Sequence, residues 1–302
     1  MEKILITGAN GFIGTALYEF YVRNGSAVIG WNRSESVRCC AVDMMNKNLI
    51  VSALGKERPD YIFHCAGSAD VTKSVSDPVM DYESNVSITQ YLLQAVYEIN
   101  NYNPRIVFLS SAGVYGNPVT LPIKESDSYN PLSPYALHKV MCEQLCNFYY
   151  KQYRLDIKIA RIFSAYGRGL KKQIFWDMNR KFHETGRLDM FGTGEESRDY
   201  IYISDLVRAL NLISRSDEKE IVYNVANGVE TTIRTITEEF ALAKGIDKSE
   251  ILFNGDVREG DPFNWRADIT NISRLGYYPT VQISDGIADY VAWLTEIESS
   301  EV

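Results

Sequence analysis

The stretch KILITGANGFIG (residues 3–14) decides the fold predicted for this chain. An apolar run, KILIT, is followed by a glycine-rich turn and then by a helical pattern over residues 12–23. Glycines in such a turn let backbone N–H groups and the positive end of the helix approach a pyrophosphate, and the last glycine lets helix and strand pack closely. The residues of this turn that are predicted to bind a dinucleotide are Gly8, Asn10, Gly11, Phe12, Ile13 and Gly14.

Short apolar runs continue to alternate with helical patterns along the first half of the chain. The runs lie at 27–31, 58–67, 105–111 and 156–164, and the longest helical patterns lie at 84–99 and 134–152. Strands that alternate with helices predict a parallel sheet built from right-handed βαβ units. The expected fold class is therefore α/β, with a Rossmann-type doubly wound parallel sheet.

The pattern changes after residue 165, where loops rich in glycine, proline and asparagine separate shorter elements. We expect a dinucleotide-binding domain over residues 1–165, to which segments at about 200–227 return. A smaller, mixed α/β C-terminal substrate domain is expected to comprise residues 166–199 and 228–302.

The composition argues against partners that carry many phosphates. The 302 residues include 31 basic and 39 acidic side chains, for a net charge of −8, and no run of basic residues is longer than a pair. Nucleic acids and anionic membrane surfaces demand clustered positive charge, so neither is expected as a partner. No apolar stretch approaches the ~20 residues that span a bilayer, and the N-terminus lacks a signal-peptide pattern, so we expect a cytoplasmic protein.

The cysteines do not form a metal-binding pattern. The chain has 5 cysteines and 3 histidines, without a CxxC motif. Reduced, structural thiols are therefore expected, and no metal site is predicted.

The residues after the second predicted strand bear on the choice of cofactor. A carboxylate at this place would hold the adenosine ribose of NAD, but the chain has Asn32 and Arg33, with Arg38 in reserve. A guanidinium pairs with a 2′-phosphate, so NADP(H) is the preferred cofactor and NAD(H) the alternative. Two further cofactor residues, Asp43 and its neighbour Met44, are predicted after the third short strand. Asp43 would accept a hydrogen bond from the adenine amino group.

A second group of polar residues is typical of hydride-transfer chemistry. Tyr135 and Lys139 lie four residues apart on a predicted helix, so a phenol and an ammonium group share one face. Ser110 and Ser111 end a predicted strand, and a parallel sheet delivers strand ends and following helices to one crevice. An ammonium group near a phenol favours the phenolate, which can take a proton from a substrate hydroxyl. The predicted catalytic residues are Ser111, Tyr135 and Lys139.

Eight motifs follow one another along nearly the whole chain. They are TGANGFIG (7–14), HCAG (64–67), SVSDP (74–78), Asn85, SSAGVYG (110–116), PYALHK (134–139), ESRDYIYISDL (196–206) and REGDP (258–262). In their order the chain resembles the extended short-chain dehydrogenase/reductase family, and within it the sugar-nucleotide branch that includes UDP-galactose 4-epimerase. The resemblance implies a nucleotide-activated hexose as substrate and hydride exchange at its C4 atom.

The resemblance also implies roles for individual residues. Tyr135 would be the acid or base, Lys139 would hold the nicotinamide ribose, and Ser111 would hold the sugar hydroxyl. The other implied cofactor residues are Cys65, Ala66, Gly67, Asn85 and Ser110. The implied substrate residues are Ser164, Arg198 and Arg258, of which the two arginines would grip the diphosphate. A homodimer is also implied, through a four-helix bundle of the helices at 86–99 and 134–152.

Departures from the family pattern narrow the expected reaction. Family members that eliminate water carry Thr-Asp-Glu where this chain has Ser111-Ala112-Gly113, and those that epimerise C3 and C5 carry a cysteine at the position of Gly113. Alanine and glycine transfer no protons, so chemistry at C4 alone remains.

Three functions remain open. Arg33 favours NADPH-dependent reduction of a 4-keto group on a nucleotide-activated (6-deoxy)hexose. The alternative is an NAD-dependent nucleotide-sugar 4-epimerase, which returns its hydride to the substrate and consumes no cofactor. A non-catalytic dinucleotide sensor is the third possibility, against which the intact Ser111, Tyr135 and Lys139 argue.

Overall fold

The fold is that of a computed structural model, which describes residues 1–256 and 263–300. The predicted substrate residue Arg258, with the rest of REGDP (258–262), lies outside the described residues.

Twelve strands form three sheets in the described residues. In chain order the strands are β1 (Lys3–Thr7), β2 (Ala27–Asn32), β3 (Cys39–Ala41), β4 (Tyr61–His64), β5 (Arg105–Ser111), β6 (Ile157–Ile162), β7 (Ser164–Tyr166), β8 (Leu188–Met190), β9 (Ser197–Tyr202), β10 (Val222–Val225), β11 (Glu230–Thr232) and β12 (Ile251–Phe253). The large sheet has seven strands in the order β10-β6-β5-β4-β1-β2-β3, and every pairing within it is parallel. The predicted α/β fold with a doubly wound parallel sheet is confirmed.

Eleven α-helices connect these strands in the described residues. In chain order they are α1 (Phe12–Arg23), α2 (Lys47–Glu57), α3 (Val71–Ser76), α4 (Pro78–Tyr82), α5 (Ile88–Glu98), α6 (Pro134–Tyr153), α7 (Gln173–Thr185), α8 (Ile203–Arg215), α9 (Ile233–Lys244), α10 (Thr270–Arg274) and α11 (Ile283–Ser300). None of the helices in the described ranges is long and apolar enough to cross a membrane.

The large sheet is buried on both faces. Along β1, Ile4 and Ile6 pack into the core on one face, while Leu5 packs into the core on the other face, beneath α2, α5 and α6. Successive side chains of a strand point to opposite faces, so a strand covered by two layers needs an unbroken apolar run. KILIT supplies that run.

The C-terminal half builds two small sheets and also returns to the large one. The small sheets have the strand orders β11-β9-β7 and β12-β8, whereas β10 pairs with β6 at the edge of the large sheet. Helix α8 lies against α1, where the Tyr21 hydroxyl donates to Asn211 Oδ1 over 3.0 Å. The predicted returning segment at 200–227 thus contributes α8 and β10 to the large sheet's layers, while the strand at its start, β9, lies in a small sheet.

Candidate active site

The glycine turn after β1 has no room for side chains. Gly8 has a φ of +67°, and a Cβ atom there would lie 2.8 Å from the backbone nitrogen of Ala66. A Cβ on Gly14 would meet the carbonyl oxygen of Gly8 and lie 2.8 Å from the Cα of Ala9. Helix α1 begins after Gly11 without a side-chain cap, so its first N–H groups are left for another acceptor.

The carboxyl ends of β2 and β3 carry the predicted adenosine-side residues. Asn32 is half-buried and Arg33 is exposed. Arg38, the second arginine predicted to pair with a 2′-phosphate, forms an ion pair with Glu19 of α1 over 3.2 Å. Asn10 Oδ1 accepts from the Cys39 thiol over 3.0 Å, which links the glycine turn to β3.

Asp43 and Met44 follow β3. Asp43 is exposed and its Oδ1 accepts from the backbone N–H of Met45 over 2.9 Å. Met44 is buried in the core beneath α2, α5 and α6, so it supports this edge through packing.

The residues at and just after the end of β4 lie beside the glycine turn and carry no charge. His64 Nδ1 lies 2.8 Å from the Thr7 hydroxyl, which also accepts from the N–H of Ala66 over 3.1 Å. Burial, reinforced by the charge of Lys139, lowers the pKa of His64 to about 3. Burial raises the pKa of Cys65 to about 12, against the opposing effect of Lys139. Near neutral pH both groups are therefore uncharged.

The predicted catalytic residues lie on β5 and α6. Ser111 ends β5, and its Oγ accepts from the N–H of Gly113 over 3.1 Å. Helix α6 starts at Pro134 under the cap of Ser133, whose hydroxyl accepts from the N–H of Ala136 over 3.2 Å. Tyr135 and Lys139 then stand one turn apart on this helix.

The structure brings these side chains together. A Cβ atom on Gly113 would lie 3.4 Å from Ser111 Oγ and 4.0 Å from Cε1 of Tyr135, so both side chains border one point. Lys139 Nζ lies 5.9 Å from the centre of the Tyr135 ring and donates to the carbonyl of Leu109 over 3.0 Å. A phenol, a hydroxyl and an ammonium group thus converge at the carboxyl end of β5.

Ser110 is turned away from this point. Its hydroxyl donates to Glu143 Oε1 over 2.5 Å, and Glu143 pairs with Arg161 of β6 over 2.8 Å. Both charged residues are buried, and neither was singled out in the sequence. The sequence signal that could have found them is a charged residue among apolar neighbours. Arg161 lies in the strand IKIARI, and Glu143 lies on the buried face of α6. A cofactor contact by Ser110 would therefore have to come from its backbone.

Asn85 lies in a π-helical turn, Glu83–Ser87, that continues directly into α5. The predicted helix at 84–99 is thus a π turn followed by an α-helix. Asn85 is buried, and a Cβ on Gly67 would lie 2.7 Å from its Oδ1.

The predicted substrate residues Ser164 and Arg198 lie on the small sheet β11-β9-β7. Ser164 begins β7 and Arg198 lies on the neighbouring β9; both are half-buried. The Arg198 guanidinium stands 5.6 Å from the centre of the Trp265 ring and donates to the carbonyl of Ser197 over 2.8 Å. Trp265 lies far from Arg198 along the chain, so no local pattern places the two side chains together.

Two aspartates that follow Arg198 in the chain, Asp199 and Asp205, have carboxylates that accept from other groups. Asp199 is buried and accepts from the backbone N–H groups of Asn227, Gly228 and Ala267 over 2.8 to 3.0 Å. Burial raises the pKa of Asp199 to about 7, although these N–H groups oppose the shift. Asp205 accepts from the N–H groups of residues 280 and 281 and pairs with Arg208.

The described part of the chain contains no group of three or more His, Cys, Asp and Glu side chains that could hold a metal ion. All five cysteines are free thiols.

Comparison with known proteins gives consistent matches. The model of the NAD dependent epimerase/dehydratase family matches residues 4–226. A protein of Methanocaldococcus jannaschii named putative UDP-glucose 4-epimerase is 31% identical over 96% of this chain and 98% of its own length.

Solved structures resemble the whole chain. The UDP-glucose 4-epimerase of Thermotoga maritima with UDP-glucose superposes with a TM-score of 0.90 at 27% identity, covering 98% of this chain and 99% of that one. The UDP-glucuronic acid 4-epimerase of Bacillus cereus with UDP-glucuronic acid and NAD gives 0.88 at 27% identity, with 98% and 99% covered. A dTDP-glucose 4,6-dehydratase of Streptomyces venezuelae with NAD gives 0.88 at 26% identity, with 98% of each covered.

Proposed function

The chain belongs to the NAD dependent epimerase/dehydratase family, and from that premise we propose that it is a nucleotide-sugar 4-epimerase. The observation that carries this proposal is that Ser111 Oγ and the Tyr135 ring border one point beside Gly113. Position 113 is a glycine and position 112 is an alanine, so neither position provides an acid or a base for the elimination of water. Reaction at a single carbinol carbon fits this set of groups better than dehydration.

The chain's own residues supply the proton transfer in this proposal. The Tyr135 phenolate takes the proton of the C4 hydroxyl and returns it when the opposite face is reduced. Ser111 donates a hydrogen bond to the C4 oxygen, and the Lys139 ammonium stabilises the phenolate. A bound nicotinamide would supply the hydride acceptor and donor for C4.

The crevice fits a dinucleotide. The turn at Gly8 and Gly14 leaves space that a Cβ would fill, and the first N–H groups of α1 have no side-chain cap. The buried Asn85 Oδ1 has no hydrogen-bond partner, which leaves an acceptor beside Gly67. Cys65 to Gly67, which follow β4, and the residues at the ends of β2 and β3 would hold the remaining parts of the cofactor.

Net reduction with NADPH is the second candidate, and one observation favours it. Asn32 at the end of β2 carries no charge, and the exposed Arg33 follows it, so a 2′-phosphate would meet no carboxylate there. Against this, Arg38 is paired with Glu19, and the similar structures from Bacillus cereus and Streptomyces venezuelae hold NAD.

One set of incubations separates the candidates. UDP-glucose, UDP-galactose and UDP-glucuronic acid are each incubated with the protein as purified, and the products are identified by NMR. A 4-epimer formed without added cofactor supports the epimerase. Consumption of NADPH with a dTDP- or GDP-4-keto-6-deoxysugar, and no epimer, would replace it with the reductase. If neither a 4-epimer nor NADPH consumption is observed, both the epimerase and the reductase are refuted.

We also propose a homodimer through α5 and α6. A groove of about 450 Å³ between these helices is lined by Tyr82, Tyr91, Met141 and Leu145 among others. Phe148 of α6 is 51% exposed although it is a large apolar side chain. Burial of such a surface favours association. Sedimentation should give a dimer at micromolar concentration and a monomer for Phe148→Glu; a monomeric native protein would refute the proposal.

A further inference from the structure

We propose that Asp81 and His138 are positioning residues that set the Asn85 carboxamide for cofactor binding. The inference rests on the proposed dinucleotide-dependent function. Asp81 lies in α4 and is fully buried, and His138 lies on α6 between Tyr135 and Lys139. Neither has a role in the proton transfer proposed above.

The two side chains join the catalytic helix to α4. His138 Nδ1 lies 2.6 Å from Asp81 Oδ2. A carboxylate oxygen can only accept, so Nδ1 of His138 carries the hydrogen and donates it. The pair therefore fixes one residue of α6, immediately before Lys139, against the turn that leads to Asn85.

The same carboxylate determines which way the Asn85 amide points. Asn85 Nδ2 lies 3.1 Å from the carbonyl oxygen of Asp81 and 3.2 Å from its Oδ1. Both of these atoms only accept, so the NH₂ group of Asn85 must face Asp81. Its Oδ1 therefore points the other way, towards Gly67, where it is buried without a partner.

A buried acceptor without a donor destabilises a fold, and a ligand group that donates to Asn85 Oδ1 beside the glycine turn would remove that cost. A hydroxyl or amide N–H of the bound dinucleotide is such a group. The π-helical form of Glu83–Ser87 agrees with this, because such turns occur often at functional sites.

The network continues to the strand that leads into the glycine turn. The Thr89 hydroxyl donates to the carbonyl of Asn85 over 2.7 Å, and His64 Nε2 lies 3.2 Å from that hydroxyl. His64 Nδ1 in turn lies 2.8 Å from the hydroxyl of Thr7, which precedes Gly8. The chain of contacts that begins at Asp81 thus ends at the predicted pyrophosphate site.

Asp81→Asn is the first test. An amide at position 81 offers one acceptor where the carboxylate offers two, so the His138 contact breaks, the Asn85 amide turns over, or His138 moves its hydrogen to Nε2 and accepts at Nδ1. We expect the dissociation constant for NADH or NADPH, measured on full-length protein freed of bound nucleotide, to rise about tenfold or more. The Asp205→Asn variant is the matched control, because Asp205 is equally buried but lies on α8. It should lower thermal stability without changing the dissociation constant.

A pair of variants at His138 keeps the inference testable if Asp81→Asn does not fold. His138→Asn places an N–H group where Nδ1 stands and should keep cofactor binding within about twofold of the native value, whereas His138→Leu should weaken it about tenfold. Equal binding by both folded His138 variants would overturn the inference. So would an effect of Asp205→Asn as large as that of Asp81→Asn.

Hydrogen exchange separates this inference from the proposed function. If the native protein binds neither NADH nor NADPH, the proposed function fails. The positioning role is then judged on amide exchange in residues 83–89 and 134–139. Loss of the carboxylate in Asp81→Asn, or of the imidazole in His138→Leu, should speed exchange there and leave α11 unchanged. Native exchange rates in a folded variant of either kind would overturn it.

Discussion

The two sides of the crevice are built differently. On the β1–β5 side, Gly8 follows β1, Ser111 ends β5, Tyr135 is the second residue of α6 and Lys139 lies one turn further along that helix. On the side of β7 and β9, Arg198 stacks on Trp265, which comes from a segment far along the chain. Backbone geometry thus positions the proposed catalytic residues, while long-range contacts shape the proposed substrate side. Changes on the first side should therefore affect turnover and cofactor binding, and changes on the second should affect substrate affinity.

The largest effect is expected for Tyr135→Phe. Removing the phenol oxygen removes the proposed acid and base, so kcat should fall about 10²- to 10⁴-fold while the protein still binds its dinucleotide. Tyr153→Phe, on the same helix with an exposed ring, should keep native turnover. The measurement is steady-state epimerisation with a thermal melt of each variant. If kcat of Tyr135→Phe stayed within a few-fold of the native value, the assignment of the proton transfer to Tyr135 would be wrong.

Gly14→Ala should come next. Its methyl group would meet the carbonyl oxygen of Gly8 and approach Ala9, so the turn must shift. We expect dinucleotide affinity to fall about tenfold or more, since the backbone N–H groups lose their alignment. Gly55→Ala in α2 is the matched control, because a Cβ there meets nothing within 4 Å and alanine favours a helix by about 0.5–1 kcal/mol. Fluorescence titration with NADH measures both; equal affinities would contradict the close-packing argument.

On the opposite side, Arg198→Lys should raise the KM for the nucleotide sugar about tenfold and leave dinucleotide affinity unchanged. Lysine keeps the charge but loses the two-pronged contact to a diphosphate, and a charge-assisted hydrogen bond contributes about 1.5–3 kcal/mol. Arg187→Lys, an exposed arginine paired with Glu250, serves as the control. If Arg198→Lys weakened dinucleotide binding instead, the division between the two sides would be wrong.

The smallest effect is expected far from the crevice, at Glu298 of α11. Burial opposes it, but hydrogen bonds from Asn179, His183 and Lys244 lower the pKa of Glu298 to about 2 from 4.5. The lowered pKa of Glu298 adds to the free energy of unfolding. This contribution is fully present above pH 4.5 and is lost as the pH falls towards 2. Glu298→Gln should therefore destabilise the protein by about 1 kcal/mol or less at pH 7, and by less at pH 3. Urea unfolding at both pH values measures this; an equal loss at both would contradict it.

Local patterns in the sequence were enough to predict the strands and helices that carry Gly8, Ser111 and Tyr135. Helix α1 has the predicted bounds, 12–23, because the apolar run, the glycines and the helical periodicity agree there. Helix α2 was not predicted, since it buries only Ile50 and Leu54 and its pattern is short.

Contacts between distant segments could not be predicted in the same way. The Glu143–Arg161 pair and the Asp81–His138 pair each join two elements. Apolar neighbours mark Glu143 and Arg161 as charges in buried elements, but no local pattern identifies the partner of either residue. The π turn at Glu83–Ser87 lies inside a continuous helical pattern, so periodicity alone does not reveal it.

The central claim is that Ser111, Tyr135 and a nicotinamide act together on one carbon, C4. The most direct measurement is to incubate the protein, as purified, with UDP-glucose that carries deuterium at C4, and to examine the product by NMR. We predict UDP-galactose that keeps the deuterium at C4 and takes up no solvent hydrogen at C5. Solvent hydrogen at C5, or no conversion of this substrate or of its C4-labelled UDP-glucuronic acid analogue, would contradict the claim.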